Sequence, residues 1–177
     1  MITGNPRVLE GAVDLSGLGV SFTAKPILMG GLAMEYYGLR GAGADVDFII
    51  ADADYRALAA KYPASRKDMW GDLGLLIGKY ELFRSVFRLD YDFFAVGAVE
   101  CGVCKVLSFE RLFFMKAIAF ENQPEVEKHS SDFRLIFGCV CERFQNRDYV
   151  ENAMKHTQSY LAAPDGTIYV GKHASEG

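Results

Sequence analysis

The sequence predicts an α+β protein: a small mixed β-sheet flanked by helices, with C-terminal helices following it. Three observations lead there. Short apolar runs at 26–29, 45–50, 73–86 and 103–107 alternate with stretches whose apolar residues recur at helical spacing. From residue 108 onward helical spacing takes over, so the sheet belongs to the first part of the chain. At 177 residues there is enough chain to bury a real core. The expected division is an α/β core over 1–107 and a helical part over 108–177 packed on it.

The elements follow in order. Residues 5–17 open with Asn5, a cap candidate, and Pro6 at an early helical position, which predicts an N-terminal helix. A first strand is expected at 26–29 and a helix at 32–39, where Leu32, Tyr36 and Leu39 share helical spacing. Gly38 and residues 41–44 turn the chain into a second strand, 45–50. Residues 52–62 are Ala-rich and begin with Asp52 and Asp54, acids that suit a helix N-terminus, and Pro63 stops the helix. Residues 65–72 are polar and turn-like. Residues 73–86 read as extended, as two short strands hinged at Gly78 and Lys79. The short apolar run of 89–100 fits a helix or a strand, and helix is preferred. A further strand is expected at 103–107. Ser108 can cap the next helix, which runs to about Glu121 along Leu112, Met115 and Ala119. Residues 128–144 form another amphipathic pattern, 147–158 a third, and a turn at 164–166 precedes a small extended piece at 167–170.

Composition narrows the class of function. Half the residues are hydrophobic, 24% are charged and the net charge is −4, so the global balance does not suggest a nucleic-acid coat or an anionic membrane surface. No apolar run approaches a membrane span and no signal-peptide pattern opens the chain, so a cytoplasmic protein is expected. The cysteines stand as Cys101 and Cys104, Cys139 and Cys141. Zinc is disfavoured, because i and i+2 diverge on a helix and no histidine stands nearby at ligand spacing.

The chemistry concentrates between residues 26 and 50. An apolar run ends in Gly30 and Gly31, a helical segment follows, and Asp45 and Asp47 head the next apolar run. Residues i and i+2 of a strand share a face, so the two aspartates offer adjacent carboxylates, the oxygen donors a hard divalent cation needs. Two glycines at a helix start allow backbone N–H groups to approach an anion such as phosphate. The competing reading is a tight turn and an acid pair that discourages edge pairing.

This run resembles the signature of the nucleotidyltransferase superfamily, in which an apolar residue and Gly-Gly or Gly-Ser precede Asp-apolar-Asp-apolar. The thirteen residues between Gly31 and Asp45 suit that gap, and the likeness extends over about 26–137. It implies a nucleotidyltransferase-like mixed sheet and Mg²⁺-dependent transfer of a nucleoside monophosphate from an NTP, with ATP among the candidates, to an acceptor hydroxyl. Two Mg²⁺ ions are implied, held by Asp45, Asp47 and a third carboxylate on a later strand. Glu81, within the apolar-acid-apolar run of Tyr80 and Leu82, is the choice for that acid, with Asp90 and Asp92 as rivals. The resemblance also permits a triphosphate role for Arg40. Residues 107–119 are similar to a helix of minimal and AbiEii-type nucleotidyltransferases, whose lysine, Lys116 in this chain, tends to face the nucleotide. Toxin-type members bring an acceptor on tRNA or protein and an antitoxin-like partner into range, beside a small-molecule acceptor. Gly43 stands where the family often has Thr or Ser before the first Asp, and His129 stands where a later helix usually has an acid. A non-catalytic member that binds a nucleotide or a protein is the alternative.

Overall fold

A computed structural model describes residues 3–68, 72–143 and 155 of the protein. They form two compact units, one ending at Ser108 and the other beginning at Phe109. The expectations for 147–158, 164–166 and 167–170 lie outside the described residues, Lys155 aside.

The first unit is α+β, as the alternation of patterns predicts. Its strands are β1 (Ile27–Leu28), β2 (Val46–Ile49), β3 (Gly74–Ile77), β4 (Tyr80–Phe83), β5 (Ser85–Val86), β6 (Leu89–Asp90), β7 (Val99–Cys101) and β8 (Cys104–Val106). Among the described residues, six of them make one mixed sheet in the order β3-β4-β2-β1-β8-β7, while β5 and β6 pair separately. β2 runs parallel to β4 and antiparallel to β1, and β1 runs parallel to β8. The helices of this unit are α1 (Gly30–Tyr36), α2 (Asp52–Lys61) and α3 (Tyr91–Ala95).

The core explains the register. Val46 and Phe48 of β2, Tyr80 and Leu82 of β4 and Leu75 of β3 are all buried, and the rings of Phe48 and Tyr80 lie 6.2 Å apart. Because side chains alternate along a strand, that packing turns Asp47 and Glu81 to the opposite face. Further along that face Ile49 and Phe83 are buried again. The acids therefore mark the end of the face where Asp45 and Leu76 are exposed.

Two expectations are corrected. In place of an N-terminal helix, residues 5–17 hold a 3-10 turn at Pro6–Leu9, and a second 3-10 turn spans Ser16–Leu18. Gly11 and Gly19, both with positive φ, break the helical path. What tethers this segment is tertiary: the Tyr80 hydroxyl donates to the Asp14 carbonyl at 2.7 Å and accepts from the Asp14 amide at 3.0 Å. The expected helix over 89–100 is only the five-residue α3, between β6 and β7. Gly97 at φ 72° ends the turn after α3, and the exposed Val99 then joins β8 opposite Val106.

The second unit contains α4 (Phe109–Asn122) and α5 (Glu127–Arg143), close to the expected 108–121 and 128–144. Aromatic stacking locks them together: Phe120 and Phe133 lie 4.8 Å apart, and Phe113 and Phe133 6.1 Å.

Candidate functional site

β1 and β2 are antiparallel, with Ile27 opposite Ile49 and Leu28 opposite Phe48, and the Met29 amide donates to the Asp47 carbonyl at 2.9 Å. The next residue is Gly30, where α1 begins. Its φ is 65°, and a Cβ placed there would come within 1.8 Å of Asp47 Oδ2. Gly30 is thus required twice, by its left-handed backbone and by the carboxylate seated where a side chain would project. Gly31 differs. It has no positive φ, and its Cβ would make ordinary contacts at 3.5 Å with Arg40 Nη1 and with the Gly43 amide nitrogen. The pairing of glycine with aspartate that the sequence shows as spacing is, in space, an abutment of Gly30 and Asp47.

The loop after α1 is held in place by its own polar groups. Gly38, at φ 70°, follows the last turn, and its amide donates to the Glu35 carbonyl. The Glu35 carboxylate accepts from the Ala42 amide at 2.8 Å, and the Arg40 guanidinium donates to the Gly41 carbonyl at 2.8 Å. This loop delivers Asp45, one residue before β2 and exposed, while Val46 is buried and Asp47 half-buried. The alternation of exposure matches two acids on one side with Val46 on the other.

Glu81 enters from β4. The parallel pairing of β2 and β4 sets Asp47 opposite Glu81, and on the other side Glu81 faces Leu76 of β3. Asp90 and Asp92 lie elsewhere: Asp90 caps α3 by accepting from the Phe93 amide at 3.3 Å, and Asp92 stands in the first turn of α3. Asp47 and Glu81 are therefore the two acids that neighbouring strands bring into register.

One participant is not foreseen by the sequence reading. Lys67 Nζ lies 2.5 Å from Glu81 Oε1, with 32% of the lysine side chain and 15% of the glutamate side chain exposed. Its position is built in. The Lys67 amide donates to the Gly74 carbonyl at 2.8 Å, and Arg66 bridges to Leu75. A Cβ on Gly74 would come within 2.8 Å of the Lys67 carbonyl oxygen and 2.7 Å of the Phe83 ring. Gly74 is the only local hint, and it shows only once strand β3 is seen to need close approach.

As donors, Asp45, Asp47 and Glu81 suit a hard divalent cation in kind, since all are carboxylates and the Gly30 notch admits the Asp47 side chain. In arrangement, no three His, Cys, Asp or Glu side chains among the described residues are gathered closely enough to hold a metal ion. The Glu81 carboxylate has the Lys67 ammonium beside it.

In the second unit, Lys116 Nζ lies 2.6 Å from Asp132 Oδ2, the lysine side chain 12% and the aspartate 2% exposed. His129 Nε2 is 3.2 Å from Gln123 Oε1, and burial first, then the charge of Lys116, pushes the imidazole pKa down. Cys101, Cys104 and Cys139 are free thiols, and burial raises Cys104 to about 11. Among the described residues no helix is long and apolar enough to cross a membrane.

No protein-family model matches this chain, and no curated protein matches it. Among solved structures, it is similar to an antigenic nucleotidyltransferase-like protein from Paracoccidioides brasiliensis, at 17% identity and a TM-score of 0.44, covering 90% of this chain and 88% of that one.

Proposed function

We propose that this chain is a nucleotidyltransferase that moves a nucleoside monophosphate from an NTP to an acceptor hydroxyl and releases pyrophosphate. The observation that carries the reading is the register of Asp47 with Glu81 on parallel strands, with Gly30 closed against Asp47. Asp45 and Asp47 would hold Mg²⁺, which when bound neutralises triphosphate charge and polarises the reacting oxygens. Gly30 admits the Asp47 carboxylate, Gly31 keeps a side chain away from the triphosphate, and Arg40 supplies a guanidinium on the adjoining loop. Glu81 accepts the proton of the acceptor hydroxyl as its oxygen bonds to the α-phosphorus. The bond from that phosphorus to the bridging oxygen breaks, and pyrophosphate leaves with the electron pair. Positioning and charge stabilisation supply most of the acceleration. The acceptor is a small molecule, a protein or tRNA, the last two being the targets of toxin-type members that an antitoxin-like partner restrains.

The test is transfer of label from α-labelled NTPs to a panel of those acceptors. Asp45→Asn and Asp47→Asn are expected to abolish Mg²⁺-dependent transfer with folding intact. Glu81→Gln should lower turnover far more than NTP affinity. Unchanged transfer in either aspartate variant overturns the reading. The Lys67 ammonium on Glu81 favours one second reading, a member that binds an NTP without transferring it. That reading requires calorimetric NTP binding, lost in Asp47→Asn, with no labelled acceptor.

A further inference from the structure

Cys101 and Cys104, separated by Gly102 and Val103, take no part in the proposed reaction. We propose that they form a reversible disulfide across the β7–β8 hairpin, by exchange with a small disulfide of the glutathione class. The inference is independent of the nucleotidyltransferase reading and makes the hairpin a redox-modification site.

The fold supplies the geometry. β7 and β8 are antiparallel, and Cys101 stands directly opposite Cys104. Residues so paired share a face with Cα atoms about 4.5–5.5 Å apart, inside the span of about 4.4–6.8 Å that a disulfide accepts. Their Cβ atoms are expected about 4.5–5.5 Å apart, against about 3.5–4.5 Å in a disulfide, so closure draws the strands together by roughly 1 Å. The place can yield: among the described residues β7 is the outer strand of its sheet, and the turn passes through Gly102 at φ 60°. A bond closed under that pull is the more easily reduced, as a reversible one must be.

The surroundings set the order of events. The Cys104 thiol donates to the Cys101 carbonyl at 3.7 Å, and the Cys101 thiol donates to the Tyr36 hydroxyl at 3.6 Å. Cys101 is half-buried beside the exposed Gly102 and Val103, whereas Cys104 is 1% exposed and burial raises its thiol to about 11. Cys101 is therefore the entry point. Its sulfur loses a proton and attacks the small disulfide, and one glutathione leaves as a thiolate that takes up that proton. Cys104 then loses its proton and attacks Cys101 Sγ. The second glutathione leaves with the electron pair of the broken S–S bond and is protonated in turn. Two protein thiols are oxidised, and one small disulfide is reduced to two thiols. Because burial disfavours the Cys104 thiolate, the reduced pair lacks the thiolate stabilisation that makes a disulfide strongly oxidising. A cysteine serving only to fill the core would need no second thiol opposite it at an exposed turn.

The experiment equilibrates the full chain in glutathione redox buffers, alkylates the remaining thiols and weighs the tryptic peptides. Cleavage after Arg88 and Lys105 leaves Cys101 and Cys104 on one peptide, apart from Cys139 and Cys141. In oxidising buffer that peptide is expected to carry neither alkyl group nor glutathione, and to regain both thiols in reduced glutathione. Cys104→Ser should stop at a glutathione adduct on Cys101, and Cys101→Ser should take up glutathione at least about tenfold more slowly. The effective concentration of Cys104 toward the mixed disulfide should be at least about tenfold higher in the folded chain than in urea. Should Cys104→Ser not fold, this comparison on the wild-type chain decides. Two alkylated thiols in oxidised wild type, or an adduct persisting on Cys101 beside an alkylated Cys104, overturns the proposal. Equal effective concentrations in buffer and in urea overturn it as well, since the pairing would then owe nothing to the fold.

Discussion

Each unit of the molecule carries a lysine–carboxylate pair of nearly equal length, and the two differ in how far water reaches them. Lys116 and Asp132 join α4 to α5 at 2.6 Å, the aspartate side chain 2% exposed. Lys67 and Glu81 join a loop to β4 at 2.5 Å, the lysine about one-third exposed. In the first pair the acid has given up water, and the ammonium buried with it offsets that cost. In the second, water still reaches the lysine, so breaking the pair costs less than breaking the first. Distance alone would rank them together. Burial is what separates them.

The largest expected effect lies in the closed pair. Lys116→Ala leaves the Asp132 carboxylate without its ammonium and should cost about 3–5 kcal/mol in urea unfolding. Lys116→Met combined with Asp132→Leu should recover most of that loss, because a well-packed apolar pair replaces a buried ionic one without the desolvation penalty. A Lys116→Ala protein of near wild-type stability that fails to bind NTP would break the comparison and support the nucleotide-facing role that the resemblance implies.

A smaller effect sharpens the site side. Gly30→Ala must adopt a left-handed backbone costing about 1–2 kcal/mol, and its Cβ also displaces the Asp47 carboxylate. Gly31→Ala meets only ordinary contacts and should change stability by less than about 0.5 kcal/mol. Paired urea melts, read with Mn²⁺ affinity, check this. Equal stabilities would mean that the Gly30 notch does not hold Asp47.

The smallest effect is a pH slope from His129. Its folded pKa lies below the ordinary value of 6.5, because burial and Lys116 disfavour the imidazolium. The unfolded chain therefore binds more protons, and stability should fall as pH drops through 6.5 toward the folded value. Above 6.5 the contribution of this residue is flat. His129→Gln should remove that part of the slope between neutral and mildly acidic pH. A slope that persists unchanged assigns the acid sensitivity to other groups.

Much was determined by the sequence itself. The positions of α2, α4 and α5, the hairpin of β3 and β4 around Gly78 and the strand segments at β1, β2 and β8 were all legible. Those features depend on apolar period, capping residues and breakers within about a dozen neighbours, which local physics reads directly. The acid motif was legible for the same reason, since Asp45 and Asp47 and the apolar-acid-apolar run of Glu81 are local patterns. Tertiary structure decided the rest. The register of Asp47 with Glu81 depends on how Phe48, Tyr80 and Leu82 pack, some thirty residues apart in the chain, and a slip of one residue would have sent either acid to the core face. The difference between Gly30 and Gly31 came from the antiparallel return of β2, which brings the Asp47 carboxylate to one glycine and not to the other. Lys67 looked like one polar residue in a polar loop until β3 folded back beside it. Its charge mattered only then, because an ion pair depends on distance in space and on the exclusion of water, and neither is written in local sequence.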